Sequence, residues 1–374
     1  MTDWTSKWTT RRFRSSYALE LKRLDELPAS QQRAFAELQR DAGFYGLLVP
    51  RVDGAESVKS VTRQTADLFR SLERPRVIDH PDETWRNDII DLVLDGILEI
   101  ERDDRFVCGA DAYDVFFDAP AAPVQQNLSF DALRHAEQLV THDVATLTTA
   151  LYTYNRLPRT RVWAERFPDR DAVLAHLGSN PLLERHWVQS SANSGWISWR
   201  PREQRGGADA VTWKLYVSPR PEHVRDAFHA LVRVLAEHGG APMKIGQDAA
   251  GLLRPDKLVT YFSSRAELDA VATALRDALH DCPAHGVPFS APIDERGVLS
   301  WGADPPDSER VLSWLDRESW RLWVAKSLAS ALSIAKTATR ASIAPWQFAV
   351  ERVRRRGVDV ATWAPTSALW SDAS

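Results

Sequence analysis

Three short stretches of this chain set polar, titratable side chains among apolar neighbours: Trp213-Lys214-Leu215-Tyr216, Met243-Lys244-Ile245-Gly246 and Gly251-Leu252-Leu253-Arg254-Pro255-Asp256-Lys257-Leu258. On an extended strand successive side chains point to opposite faces, so Lys214 and Tyr216 share one face and Trp213 and Leu215 the other. Lys244 lies between Met243 and Ile245 in a short apolar strand, which strips water from its ammonium unless an anion pairs with it. A lysine crowded in this way has a lowered pKa and can act as a base. Each residue also has a plainer reading. A strand lysine can snorkel at an edge, and Arg254 and Asp256 can pair across a surface turn.

The elements that must position these residues are legible as patterns. Periodicity predicts a helix over 30–44, where Phe35, Leu38 and Phe44 recur, then a strand and turn in YGLLVPRVDG. A second helix covers VTRQTADLFRSL, with Ala66, Leu68, Phe69 and Leu72 on its apolar face. A third ends near Asp95-Gly96, before two short strands about Asp103-Asp104. The Pro- and Ala-rich stretch 118–127 reads as a linker. Beyond it come two helices in SFDALRHAEQLVTHDVATLTTALYTYNRLP and one in DRDAVLAHLG, then strands and loops ending in VTWKLYV. PEHVRDAFHALVRVLAEHG is an amphipathic helix with Pro221 at its start and Gly239 at its stop. PMKIG and DKLVTYF are strands, SRAELDAVATALRDALHD is a helix, and SWRLWVAKSLASALSIAKTAT is a final long one. GADPP, at 302–306, reads as a turn that ends an element beside Trp301, and Arg354-Arg355-Arg356 as a solvated helix end. The fold class is therefore α+β, with a mainly helical N-terminal region.

The order strand KxY, long helix, strand with a lysine, arginine-containing loop, further strand resembles the phosphothreonine lyase effectors, whose motif is a strand KxH followed by a strand carrying the catalytic lysine. It is more similar still to the HopA-type proteins of bacterial effectors and of thioamitide and class V lanthipeptide pathways. That resemblance is carried by LYTYNRLP, WKLYVSP, MKIGQDAAGLLRPDKLVTYF, GVPFSAPIDERGVLSWGADPP and SWRLWVAKSLASAL, over about 128–345. It implies a phosphothreonine-lyase-like α+β domain over 128–374 that turns phosphoserine or phosphothreonine of a ribosomal precursor peptide into dehydroalanine or dehydrobutyrine. Within it, Lys244 matches the general base, and Lys214 the lysine that holds phosphate or the substrate carbonyl. Arg254 and Lys257 are the phosphate-binding candidates, with Arg200 a third. Tyr216 stands where the wider family has a histidine acid. Tyrosine, His186 from elsewhere, or unaided departure of the phosphate dianion are the three ways left to complete the reaction. The block at about 43–115 resembles a small winged-helix unit like the PqqD-type elements that recognise leader peptides, so 1–117 is expected to form a separate region.

Those residue types suit an elimination. It requires a base at the α-carbon, cations near the carbonyl oxygen as enolate charge develops, and cations at the departing phosphate. Neither metal nor cofactor is expected. A formal charge of -4 gives no overall attraction to nucleic acid, so an anionic substrate needs a local cluster of cations. No glycine-rich phosphate loop, HRD or DFG is present, so a separate Ser/Thr kinase is the expected partner, with a cyclase as a further candidate. Cys108 and Cys282 lack disulfide or zinc spacing. No run approaches the roughly 18–20 apolar residues of a membrane span, and the N-terminus lacks a signal-like apolar core, so the cytoplasm is expected and a membrane is not. Two competing readings remain: a non-catalytic peptide- or phosphopeptide-binding subunit of a biosynthetic complex, and an effector acting on host phosphoproteins.

Overall fold

Helices begin where the sequence supplies a side-chain oxygen for the unpaired N–H groups of a first turn. Thr62, Asn127, Asp143, Ser264 and Ser319 each accept from backbone N–H two or three residues ahead. The computed structural model describes residues 8–52, 58–79, 83–118, 127–190, 195–203, 212–309 and 318–369. Most of the expected 118–127 linker lies outside them.

The N-terminal part comprises β1 (Arg12–Ser15), β2 (Leu19–Lys22), α1 (Ala29–Phe35), β3 (Gly46–Pro50), β4 (Lys59–Val61), α2 (Arg63–Ser71), β5 (Arg76–Val77), α3 (Glu83–Leu94), β6 (Leu98–Arg102), β7 (Arg105–Val107) and α4 (Tyr113–Phe116). Next come α5 (Leu128–Gln138), α6 (Val144–Thr153), α7 (Arg161–Arg166), α8 (Arg170–Leu177) and α9 (Pro181–His186). The main sheet region follows with β8 (Trp187–Gln189), β9 (Trp196–Pro201), β10 (Trp213–Val217), α10 (Val224–Glu237), β11 (Met243–Gly246), α11 (Ala249–Leu252), β12 (Leu258–Phe262), α12 (Arg265–Ala278), β13 (Ala291–Pro292) and β14 (Leu299–Ala303). Two C-terminal helices, α13 (Trp320–Thr337) and α14 (Pro345–Arg355), precede the short pair β15 (Val358–Asp359) and β16 (Ala364–Pro365).

The fold is α+β. Its centre is an antiparallel seven-stranded sheet in the order β13-β14-β10-β12-β11-β9-β8. One face presents Leu215, Val217, Ile197, Trp199, Met243, Ile245, Leu258 and Leu299, all buried in a core shared with Phe228, Leu231 and Val232 of α10 and Leu268, Val271 and Leu275 of α12. The opposite face therefore carries the alternate residues, Lys214, Tyr216 and Lys244 among them. A second core joins side chains from both sides of 118–127: Phe13, Leu98 and Phe116 meet Leu133, Leu147, Trp320, Leu328 and Phe348.

Two expectations change. The helix expected over 30–44 is α1 followed by a 3-10 turn, Ala36–Arg40. The break lets Phe35, Leu38 and Phe44 all pack around Leu24, Leu27 and Leu47, which one straight helix ending at 44 would not allow. In the block 43–115 the expected strand, two helices and hairpin are present, with two further short strands, β4 and β5, on either side of α2, and Asp103 and Asp104 take the positive φ of a tight hairpin turn. Yet β3 pairs with β2 and β4, while the β6–β7 hairpin joins β1 and β5. A winged-helix unit would pair that strand with that hairpin, so the winged-helix expectation is not confirmed. The arginine triplet does end a helix, α14, but it is not merely solvated: Arg355 pairs with Asp91 at 2.9 Å and Arg356 pairs with Glu309.

Gly246 at the end of β11 touches the backbone of Gly251 in α11, where an added Cβ would lie 2.4 Å from the Gly251 carbonyl carbon. Backbone cannot yield as a flexible side chain does. Gly246→Ala is expected to cost about 3 kcal/mol of stability, read from the midpoint of denaturant unfolding at unchanged slope.

Candidate active site

The register of the sheet decides which polar residues meet. Tyr216 on β10 lies opposite Ser300 of β14 and Val259 of β12, and Val259 lies opposite Lys244 of β11, which faces Ser198 of β9. Tyr216 and Lys244 thus share one row of one face, with one strand between them. One row along, Lys214 lies between Tyr261 and Gly302. Gly302 must lack a side chain, because a Cβ there would stand 2.5 Å from Cδ1 of Trp320. The start of α13 consequently seats on this face and brings Arg321 with it.

Two carboxylates organise the cations. Asp304, just past β14, accepts from Lys214 Nζ at 2.6 Å and from the backbone N–H of Trp320 at 3.2 Å. Asp256 accepts the two-pronged guanidinium of Arg254 at 2.8 and 3.0 Å and pairs with Arg321 Nη1 at 2.7 Å. Burial alone would raise the Asp256 pKa, but Arg321 and Arg254 outweigh it and hold the carboxyl well below the usual range. Arg254 also donates to the Tyr152 hydroxyl at 3.0 Å, and Arg321 to the carbonyls of Pro288 and Tyr152 at 2.9 and 3.1 Å. The guanidiniums thus stand in fixed positions before any ligand arrives.

Lys244 is different. Among the described residues its ammonium has no hydrogen-bond acceptor and no acidic partner; it sits over the rings of Trp196 at 4.3 Å and Tyr261 at 5.4 Å. Burial first, then Lys214, push its pKa down to about 8, with Arg254 adding to them against the opposing pull of Asp256 and Asp304. Such an amine is a competent base near neutral pH. Tyr216 is 3% exposed, its hydroxyl has no hydrogen-bond partner among the described residues, and burial with help from Asp304 holds its pKa well above the ordinary value. It stays protonated, with a proton to offer.

The structure thus brings together Lys214, Tyr216, Lys244 and Arg254 and leaves three candidates outside the cluster. Lys257 is fully buried, with Nζ donating to the Pro219 carbonyl at 2.9 Å and to His285 Nδ1 at 2.7 Å. His285 Nε2 faces the Asn155 carbonyl at 2.6 Å, so the ring proton resides there and Nδ1 is free to accept. This chain of contacts closes Lys257 off from any phosphate. His186 is exposed at the end of α9, its ring edge-on to Trp187. Arg200 shares the face of Ser198 by alternation but is exposed at the rim. Sequence reasoning missed Tyr152, Trp196, Tyr261, Asp304 and Arg321 as individual site residues. Arg321 left a signal: a lone arginine between Trp320 and Leu322 on an otherwise apolar helix start. Among the described residues no group of three His, Cys, Asp or Glu side chains is placed to hold a metal, and no helix is long and apolar enough to cross a membrane.

No family model matches the sequence, and no curated protein matches it. Solved structures with a similar shape include an effector protein from Pseudomonas syringae pv. syringae strain 61, at 12% identity and TM-score 0.38, covering 65% of this chain and 99% of that one. The phosphothreonine lyase SpvC, the effector protein from Salmonella, aligns at 14% identity and TM-score 0.28 over 52% of this chain and 99% of its own. The type III effector and phosphothreonine lyase OspF from Shigella flexneri aligns at 15% identity and TM-score 0.27 over 42% and 90%. With TM-scores this far below 0.5, the chemistry of this chain rests on its own residues.

Burial lowers Lys257 to about 7 and His285 to about 4. Both bind protons more weakly folded than unfolded, so stability falls as pH drops from about 10.5 to 7 for the lysine and from 6.5 to 4 for the histidine. Lys257→Met should reduce the upper slope in denaturant titrations across pH, leaving the part that Lys244 contributes between about 10.5 and 8. It also leaves the Pro219 carbonyl and His285 Nδ1 without donors, at about 1–3 kcal/mol. Asp256→Ala strands Arg321 and Arg254 without their anion and should cost about 3–5 kcal/mol, measured the same way.

Proposed function

We propose that this chain is a carbon–oxygen lyase that eliminates phosphate from phosphoserine or phosphothreonine of a ribosomal precursor peptide, giving dehydroalanine or dehydrobutyrine. The observation that carries this reading is Lys244: a half-buried amine without an acidic partner among the described residues, on the same sheet face as Lys214 and beside the paired guanidiniums of Arg254 and Arg321. The structural Lys257, by contrast, has acceptors in the Pro219 carbonyl and His285.

In this reading the neutral Lys244 amine takes the α-proton, and the electron pair forms the Cα–Cβ double bond as the Cβ–O bond to phosphate breaks. Lys214 stabilises charge developing at the substrate carbonyl oxygen, while Arg254, set in place by the Asp256 carboxylate that it shares with the buried Arg321, holds the departing phosphate. Tyr216 offers the proton for the leaving oxygen. A separate kinase supplies the phosphorylated peptide, a cyclase can use the alkene product, and all act in the cytoplasm.

Mass spectrometry of synthetic phosphoserine and phosphothreonine peptides tests the reading. Loss of one phosphoric acid with the wild type, slowed about 10²–10⁴-fold in Lys244→Ala, is the expected result. An intact phosphopeptide that co-purifies with the protein would replace the lyase by a binding subunit. Because the active form of Lys244 is unprotonated, the rate should rise with pH and level off above about 8.

A further inference from the structure

One indole contacts both cations on which the elimination most depends. The Trp196 ring centre lies 4.3 Å from Lys244 Nζ and 4.9 Å from Arg254 Cζ. The backbone enforces this meeting. Trp196 on β9 stands opposite Gly246 of β11, and Gly246 rests on Gly251 of α11, which leads directly to Arg254. The aromatic ring, the base and the phosphate fork are thus linked through one close backbone contact. Arg254 has Asp256 and Tyr152 as further partners, but among the described residues Lys244 has only the rings of Trp196 and Tyr261.

An aromatic face attracts an ammonium and does little for a neutral amine. Lys244 becomes an ammonium when it removes a proton, so the indole's attraction grows as the reaction proceeds. Interactions that strengthen toward the transition state accelerate it, whereas equal binding throughout does not. The charged and titratable groups facing Lys244 come from every neighbouring element: Lys214 of β10, Tyr261 of β12, Arg254 and Asp256 between α11 and β12, and Asp304 after β14. Lys214 and Arg254 oppose a further positive charge there, and the ring adds to the offset that Asp256 and Asp304 supply from a distance.

Resting on the lyase reading above, we propose that Trp196 is a positioning residue that fixes the Lys244 amine relative to Arg254 and stabilises the positive charge Lys244 gains on accepting the substrate proton. Trp196→Leu keeps apolar bulk and removes the aromatic face; Trp196→Phe restores a face. Two readouts separate the ideas. The first is the pH dependence of Lys244 acylation, followed by peptide mass spectrometry without any substrate. Its midpoint should fall by about half to one pH unit in Trp196→Leu and return most of the way in Trp196→Phe. The second is turnover: kcat should fall about tenfold in Trp196→Leu with KM little changed, and Trp196→Phe should recover most of it.

A midpoint that stays put or rises in Trp196→Leu overturns the role. Trp196→Met, also apolar and more adaptable, is measured alongside so that a folding defect of one variant does not decide the outcome. If the wild type eliminates no phosphate, the lyase reading fails by itself, and the acylation midpoint still decides whether the indole holds the charged lysine.

Discussion

Asp256 is the group on which the site depends. Two guanidiniums and a lysine placed against a sheet face repel one another and lose hydration, and neither penalty is met by packing. A single carboxylate, buried and paired with both Arg254 and Arg321, makes that concentration of charge tolerable. Because Arg321 belongs to α13 and Arg254 to the loop between α11 and β12, the same carboxylate also ties the helix that enters the large core to the middle of the seven-stranded sheet. Asp304 repeats the arrangement one strand away, joining Lys214 to the first turn of α13. The fold's two cores meet through ion pairs at the site.

Much of this was legible from the chain alone. Strand alternation put Lys214 and Tyr216 on one face, an apolar sandwich singled out Lys244, and the helices of 221–239 and 264–281 followed from periodicity. Turn chemistry located the Asp103-Asp104 hairpin. These are local signals, and the residues that supply them lie within one element.

What was not legible is long-range. Tyr152 reaches Arg254 across 102 positions, and Arg321 meets the Tyr152 carbonyl across 169. No spacing rule marks either. Trp196 was hidden among fifteen tryptophans, most of which pack in cores. Lys257 misled for the opposite reason. Its nearness to Arg254 in sequence suggested a shared ligand, but the chain around His285 folds over it and takes up its donors. The winged-helix expectation is unconfirmed for a related reason: the expected strand, helices and hairpin form, but β4 and β5 join them, and the partner of each strand was not fixed by order.

The pairing of Lys214 with Asp304 and of Arg254 and Arg321 with Asp256 has a consequence for turnover. With Lys244 neutral, three cations face two carboxylates and the pocket carries one net positive charge. In the proposed elimination Lys244 gains its proton as the Cβ–O bond weakens, and the pocket then carries two. The proton that Tyr216 gives to the leaving oxygen returns the sum to one. By keeping the standing charge low, the resident anions make the grip on phosphate strongest while that bond breaks and weaker once the product has formed.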